Sequence, residues 1–248
     1  MNKYKNLYTN GCSFTAGHQL DDDARWTVHL SKLLNLKHIN MASNGQSMDS
    51  IILNSVVNLT ELDPSNTLVV IGLTWKERFG FLINRTTVNI TPSDIDSKKS
   101  ELRSKFSTWR RVKSPISMTG EIIKDSQKSF NEDRDKHYLV LEHFCNYYKA
   151  LVDLDLNLQL DLVTKYLTNI VLLQSYLKEQ GFEYRFVEWN SMLTNKEKIN
   201  LNEQLLPIFN KIDMSKVINY DLKISDNTSH PNSKQCMDIA NLINNKIR

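Results

Sequence analysis

Cysteine, glycine and proline are scarce in this chain, and no long apolar run occurs in it. The three cysteines, Cys12, Cys145 and Cys236, are odd in number and lie at no metal-like spacing, which argues against a disulfide framework and against a zinc site. Free thiols are expected. Seven glycines are spread over 248 residues and none form Gly-x-Gly-x-x-Gly, so the phosphate-cradling loop of a nucleotide binder is missing. No segment approaches the roughly 18 apolar residues that a membrane span requires. Met1 to Lys5 runs into a strand-like segment without the apolar stretch of a secretory signal, so the expectation is a cytoplasmic protein with no membrane partner. A net charge of +3 gives no ground for nucleic-acid binding. One polar stretch does gather Lys98, Lys99, Arg103, Lys105, Arg110, Arg111 and Lys113, read as a solvated face, with contact to an anionic polymer as the alternative.

What is present is the composition of a globular protein, 40% hydrophobic and 24% charged, in a length that suits one α/β domain over 1–248. Asn6 to Thr9 reads as a first strand, and Trp26 to Leu34 as a helix carrying Trp26, Val28, Leu30, Leu33 and Leu34 as its apolar stripe. Lys37 to Met41 is a second strand, followed by a polar turn and a helix from Met48 to Leu59. Thr67 to Gly72 is a β-branched run of the kind found in a parallel strand buried on both faces. Regularity then stops. The polar segment 84–134, with breakers at Pro92, Pro115 and Gly120, is read as an insertion or lid with some helix near Ser100 to Arg111. His137 to Gln180 is helical, broken near Asp153 to Asn157, and Gly181 is its stop. Tyr184 to Trp189 forms a fourth strand, Lys196 to Asn210 a weaker helix, Lys216 to Asn219 a fifth strand, and a last helix begins near Ser233. The repeated β-α order predicts an α/β fold with a mostly parallel five-stranded sheet and an inserted segment after strand three.

In such a sheet the loops at the carboxyl ends of the strands form the ligand crevice. Those loops hold Ser13, between Gly11 and Gly17; Asn44 and Gly45; Thr74 and Trp75; and His230, which has an acid nearby. Acyl transfer needs a hydroxyl nucleophile, an imidazole to take its proton, a group to orient the imidazole, and donors for the oxyanion. Candidates for all four lie in these loops. Arg78, where the chain leaves strand three, suits either a substrate carboxylate or phosphate or a surface ion pair. Asp21-Asp22-Asp23 reads as a solvated acidic turn before a helix. His18, His29, His38, His137 and His143 show no paired ligand spacing and are expected to be structural or exposed. Cys12 is expected to point to the core.

With these loops, the sequence resembles the SGNH hydrolases, also called GDSL esterases and lipases. Their first block, Gly-x-Ser, is matched by Gly11-Cys12-Ser13; the glycine of their second block by Gly45; and the acid and histidine of their last block by Asp226 and His230-Pro231. The resemblance implies a flavodoxin-like three-layer α/β/α fold, a Ser13 nucleophile, a His230 base oriented by Asp226, and an oxyanion hole from the Ser13 and Gly45 amides, with no cofactor and no metal. Two departures stand out. Gly72-Leu73-Thr74-Trp75 lacks the asparagine of the third block, leaving Thr74 or Asn44 as the further donor. The position three residues before His230 is Asn227, with Asp226 one further back, so either residue is a candidate to orient the imidazole. The expected function is a serine esterase or deacylase acting on a small-molecule or glycan ester. An acyltransferase using the same site, or a binding protein that keeps the crevice without efficient chemistry, is the alternative. The oligomeric state is not legible.

Overall fold

The computed structural model describes residues 3–76, 78–83, 86–90, 158–189, 191, 193–195, 202–222 and 230–247. In chain order the elements are β1 (Asn6–Asn10), α1 (Ser13–Ala16), α2 (Trp26–Leu34), β2 (Lys37–Asn40), α3 (Met48–Leu59), β3 (Thr67–Gly72), β4 (Phe79–Ile83), β5 (Thr86–Ile90), α4 (Leu158–Glu179), β6 (Glu183–Trp189), α5 (Leu206–Phe209), β7 (Val217–Tyr220) and α6 (Ser233–Ile247). Five strands form one sheet in the order β2-β1-β3-β6-β7, and each of its four pairings is parallel. Setting the separate β4-β5 hairpin aside, that is the order 2-1-3-4-5 of the flavodoxin-like fold. Strand order reverses between β1 and β3, so the crevice of such a sheet opens where those two strands end.

The period of two along the strands distributes their side chains to opposite faces. Leu7, Leu68, Val70, Val187 and Ile218 pack against Trp26, Leu30 and Leu34 of α2 and Ile239, Ala240 and Ile243 of α6. Tyr8, Val69, Ile71, Tyr184 and Phe186 pack against Met48, Ile51 and Leu59 of α3 and Val163, Leu167, Ile170 and Leu173 of α4. The result is three layers, α/β/α, and every residue of β3 is buried between them. Each fully buried Leu or Ile contributes roughly 1.5–3 kcal/mol relative to exposure, and these side chains are concentrated on the central strands, since β2 has no buried residue and β7 has Ile218 alone.

Helix ends follow local chemistry. Asn35 takes the left-handed conformation (φ 52°) after α2 and donates its N–H to Lys32 and Ser31 carbonyls. The Ser47 hydroxyl caps α3 by accepting from the Ser50 amide at 3.3 Å. Asp49, in the first turn of α3, accepts from the Gly80 amide of the hairpin at 3.1 Å and from the Asn169 side chain at 3.2 Å, and pairs with Lys165 at 3.0 Å. One carboxylate thus ties β4 and α4 to the start of α3.

The β4-β5 hairpin departs from the expectation that 84–134 is irregular from its first residues, since β5 lies inside that range. Thr86-Thr87-Val88-Asn89-Ile90 is rich in β-branched residues, but its polar positions hide the strand. The rest of the insertion, the basic cluster from Lys98 to Lys113, Cys145 and the break near Asp153 to Asn157 lie outside the described residues. Among the described residues, Cys12 and Cys236 are free thiols, no helix is long and apolar enough to cross a membrane, and no cluster of His, Cys, Asp and Glu forms a metal site.

Candidate active site

The chain leaves β1 at Asn10, whose side chain is buried and fully used. Its Oδ1 accepts from the Gly11 amide at 2.8 Å, while its Nδ2 donates to the Ile51 carbonyl at 3.1 Å and to Ser55 Oγ at 3.0 Å. This moors the turn to α3. Thr15 then fits between two glycines: a Cβ at Gly72 would lie 2.1 Å from Thr15 Oγ1, and one at Gly11 would lie 2.3 Å from it. Only the absence of side chains at both positions lets α1 sit on the end of the sheet. Gly17 closes the turn at φ 71°, donating its N–H to the Ser13 carbonyl, and Trp26 Nε1 donates to the Phe14 carbonyl at 3.0 Å. Ser13 is the first residue of α1, where a helix amide has no intrahelical acceptor. Ser13 is buried and absent from the apolar clusters, whereas Cys12 joins the one that packs the sheet against α2.

Ser13 Oγ lies 2.9 Å from His230 Nε2, across 217 residues of sequence. His230 sits just ahead of α6, whose buried face of Cys236, Ile239, Ala240 and Ile243 fixes the helix on the sheet. Its ring stands edge-on to Phe14 at 5.2 Å and against His18 at 4.9 Å. Burial lowers the His230 pKa from its ordinary value, and the charges of His18 and Arg78 lower it further. The ring is therefore neutral near pH 7, the form that accepts a proton. Asp226 and Asn227, the two candidates to orient it, lie outside the described residues.

The loop after β2 folds against the serine turn. The Ser43 amide donates to the Gly11 carbonyl at 3.2 Å, Gly45 adopts φ 74°, and Asn44 Nδ2 donates to His18 Nδ1 at 2.8 Å. The asparagine is thus engaged with His18. After β3, Thr74 is buried and its Oγ1 accepts from Arg78 Nη1 at 3.0 Å. That bond occupies an acceptor site of the hydroxyl and leaves its O–H to donate elsewhere. The Trp75 ring stands at near right angles to Phe14, with centroids 6.1 Å apart.

No protein-family model matches the chain, and no curated protein matches it. Solved structures do. A psychrotrophic esterase, EstA, from Pseudoalteromonas sp. is 11% identical with a TM-score of 0.49, over 98% of this chain and 96% of that one. A putative lipolytic protein of the G-D-S-L family from Desulfitobacterium hafniense is 8% identical with a TM-score of 0.49, over 98% of this chain and 99% of that one. An acetyl xylan esterase from the rumen bacterium Butyrivibrio proteoclasticus is 11% identical with a TM-score of 0.43, over 99% of this chain and 64% of that one.

Ser13, at the start of α1, and Asn44, Gly45, Thr74, Trp75 and Arg78, on the connections that follow β2 and β3, lie beyond the carboxyl ends of the strands, where His230 joins them through Ser13. A hydroxyl in hydrogen-bond reach of a neutral imidazole nitrogen can lose its proton as it attacks an electrophile. His18, expected to be structural or exposed, stands beside the candidate pair: its ring packs on His230 and bonds Asn44. The signal for it in the sequence is its position directly after Gly17, whose left-handed conformation turns the chain back over the serine.

Proposed function

We propose that the chain is a serine hydrolase of SGNH type, an esterase or deacylase working through an acyl-serine intermediate. The observation that carries this reading is the 2.9 Å contact of Ser13 Oγ with His230 Nε2, at the carboxyl end of a parallel sheet beside the β1/β3 switch point. Ser13 Oγ attacks the ester carbonyl as its proton passes to His230 Nε2. The tetrahedral oxyanion collapses, the carbon–oxygen bond to the alcohol breaks, and His230 gives its proton to the departing alkoxide. Water, deprotonated by His230, then cleaves the acyl-serine to release the acid. Asp226 orients the imidazole in this scheme. The amides of Ser13 and Gly45 receive the oxyanion, with a further donor from Thr74, whose O–H the Arg78 bond leaves available, or from Asn44, whose Nδ2 has a second hydrogen besides the one facing His18. An acyl group passed to a hydroxyl of a small molecule or glycan instead of water uses the same steps. Residues 84–134 are proposed as an insertion or lid within a single domain over 1–248.

A hydroxyl donor in place of a carboxamide at Thr74 favours a second reading, a crevice kept for binding without efficient chemistry. Labelling with a fluorophosphonate separates the two. The hydrolase reading expects one adduct, on Ser13, lost in Ser13→Ala and slowed about a hundredfold or more in His230→Ala. Intact protein that takes no adduct, or an adduct of equal size on Ser13→Ala, leaves the binding reading standing.

A further inference from the structure

Among the described residues, every other arginine that lies partly within the fold is met by a carboxylate. Arg25 pairs with Asp22 and Arg185 with Glu183; the half-buried Lys216 likewise pairs with Glu183, and Lys165 with Asp49. Arg78 differs. It is half-buried, its Nη1 donates to the neutral Thr74 hydroxyl, and no carboxylate among the described residues lies within ion-pair reach of it. A guanidinium has five N–H donors in a planar fork that matches a carboxylate or phosphate. With one neutral partner among the described residues, the remaining N–H donors of the fork are open to an anion arriving from outside, the kind of group that arginine is suited to hold.

The location of Arg78 is informative. Phe14, next to the candidate nucleophile, stands at near right angles to both the His230 ring, with centroids 5.2 Å apart, and the Trp75 ring, with centroids 6.1 Å apart. Trp75, which follows Thr74, and His230 therefore meet around the same aromatic ring, with Ser13 beside it. The positive charge of Arg78 is felt at His230 itself. Resting on the hydrolase reading, we propose that the ester taken by this crevice carries an anionic group, a carboxylate or phosphate close to the scissile bond, and that Arg78 holds it. The arginine is then a specificity residue, and the bond it makes to Thr74 sets its reach from the reacting carbonyl. The anion belongs either to the acyl half or to the alcohol half of the ester.

Two matched pairs of fluorophosphonates test this on the full chain. In one pair the alkyl arm on phosphorus ends in a carboxylate or in the isosteric carboxamide; in the other pair the alkoxy arm does. The readout is the second-order rate of adduct formation on Ser13. The expected result is that one carboxylate probe reacts about tenfold or more faster than its carboxamide twin, as befits a charge-assisted fork, with the ratio falling as salt is raised. Which pair shows it identifies the half of the ester that bears the charge. The ratio falls toward one in Arg78→Gln and is partly kept in Arg78→Lys, which retains the charge but not the fork. Ratios of one or less for both pairs overturn the anionic substrate while leaving the serine hydrolase intact, and a large ratio unchanged in Arg78→Gln removes Arg78 from the assignment. Failure of all four probes to label Ser13 overturns the hydrolase reading beneath it. The wild-type ratio and its salt dependence decide the matter even where a variant fails to fold.

Discussion

His230 has a second imidazole against it, and that contact has a measurable consequence. Burial is the main reason its pKa lies below the ordinary 6.5, followed by repulsion from His18 and from Arg78. A protonated imidazole cannot take the serine proton, so reaction fails as pH falls through the His230 pKa; because that pKa is lowered, the acid limb of the profile sits below pH 6.5. Replacing His18 by glutamine keeps bulk and an acceptor for Asn44 but removes the charge. The expected outcome in His18→Gln is an acid limb shifted to higher pH, read from the rate of Ser13 labelling against pH, and an unmoved limb would show that His230 does not sense its neighbour. That Ser13 and His230 meet could be anticipated from the sequence, because a serine between turn glycines after β1 and a histidine in a polar loop ahead of the last helix both fall at the carboxyl end of a parallel sheet. His18 was not legible, since its part depends on how sharply Gly17 reverses the chain and on the Asn44 side chain 26 residues away.

At the scale of elements, the serine turn and β3 are locked by the fit of Thr15 against Gly72. Alanine at position 72 puts its Cβ 2.1 Å from Thr15 Oγ1, so α1 must shift off the sheet end and carry Ser13 with it. Gly72→Ala is expected to lose about 1–3 kcal/mol in urea unfolding, the usual cost of overpacking, and to slow Ser13 labelling. Thr15 Oγ1 is buried and makes no hydrogen bond, so its removal forfeits no partner. Thr15→Ala in the Gly72→Ala background should therefore recover most of the stability, a coupling that a double-mutant cycle reads directly; additive losses would refute the steric account. Strongly patterned elements were legible almost to the residue, as with Trp26 to Leu34, Met48 to Leu59 and Thr67 to Gly72, because their apolar periodicity and turn residues agree. α1 escaped notice because a single turn has no periodicity, and the β4-β5 hairpin because strands outside the main sheet need no continuous apolar run.

For the whole molecule, the order of strands and helices already implied the five-stranded parallel sheet, since β-α repeats admit few topologies, but neither the pairing of β1 between β2 and β3 nor the approach of residue 230 to residue 13 is written in any local pattern. Those come from the two layers closing on the sheet. The site spans both ends of the chain, and the α2/α6 layer carries the histidine half of it: α6 begins three residues after His230, and Ile239, Ala240 and Ile243 hold it in place. The α3/α4 layer supports the opposite face of the sheet through residues such as Leu167. Stability and reactivity should therefore separate by layer. Ile239→Ala and Leu167→Ala each remove a fully buried side chain and are expected to cost about 2–5 kcal/mol in unfolding. At a temperature where both variants remain folded, Ile239→Ala should slow fluorophosphonate labelling of Ser13 about tenfold, because a tilt of α6 of a fraction of an ångström loosens the Ser13–His230 contact. Leu167→Ala should label within about twofold of wild type, its cavity relaxing on the far side of the sheet. Equal slowing in the two variants, at matched loss of stability, would mean that the serine–histidine pair depends on the fold as a whole and not on the seat of α6.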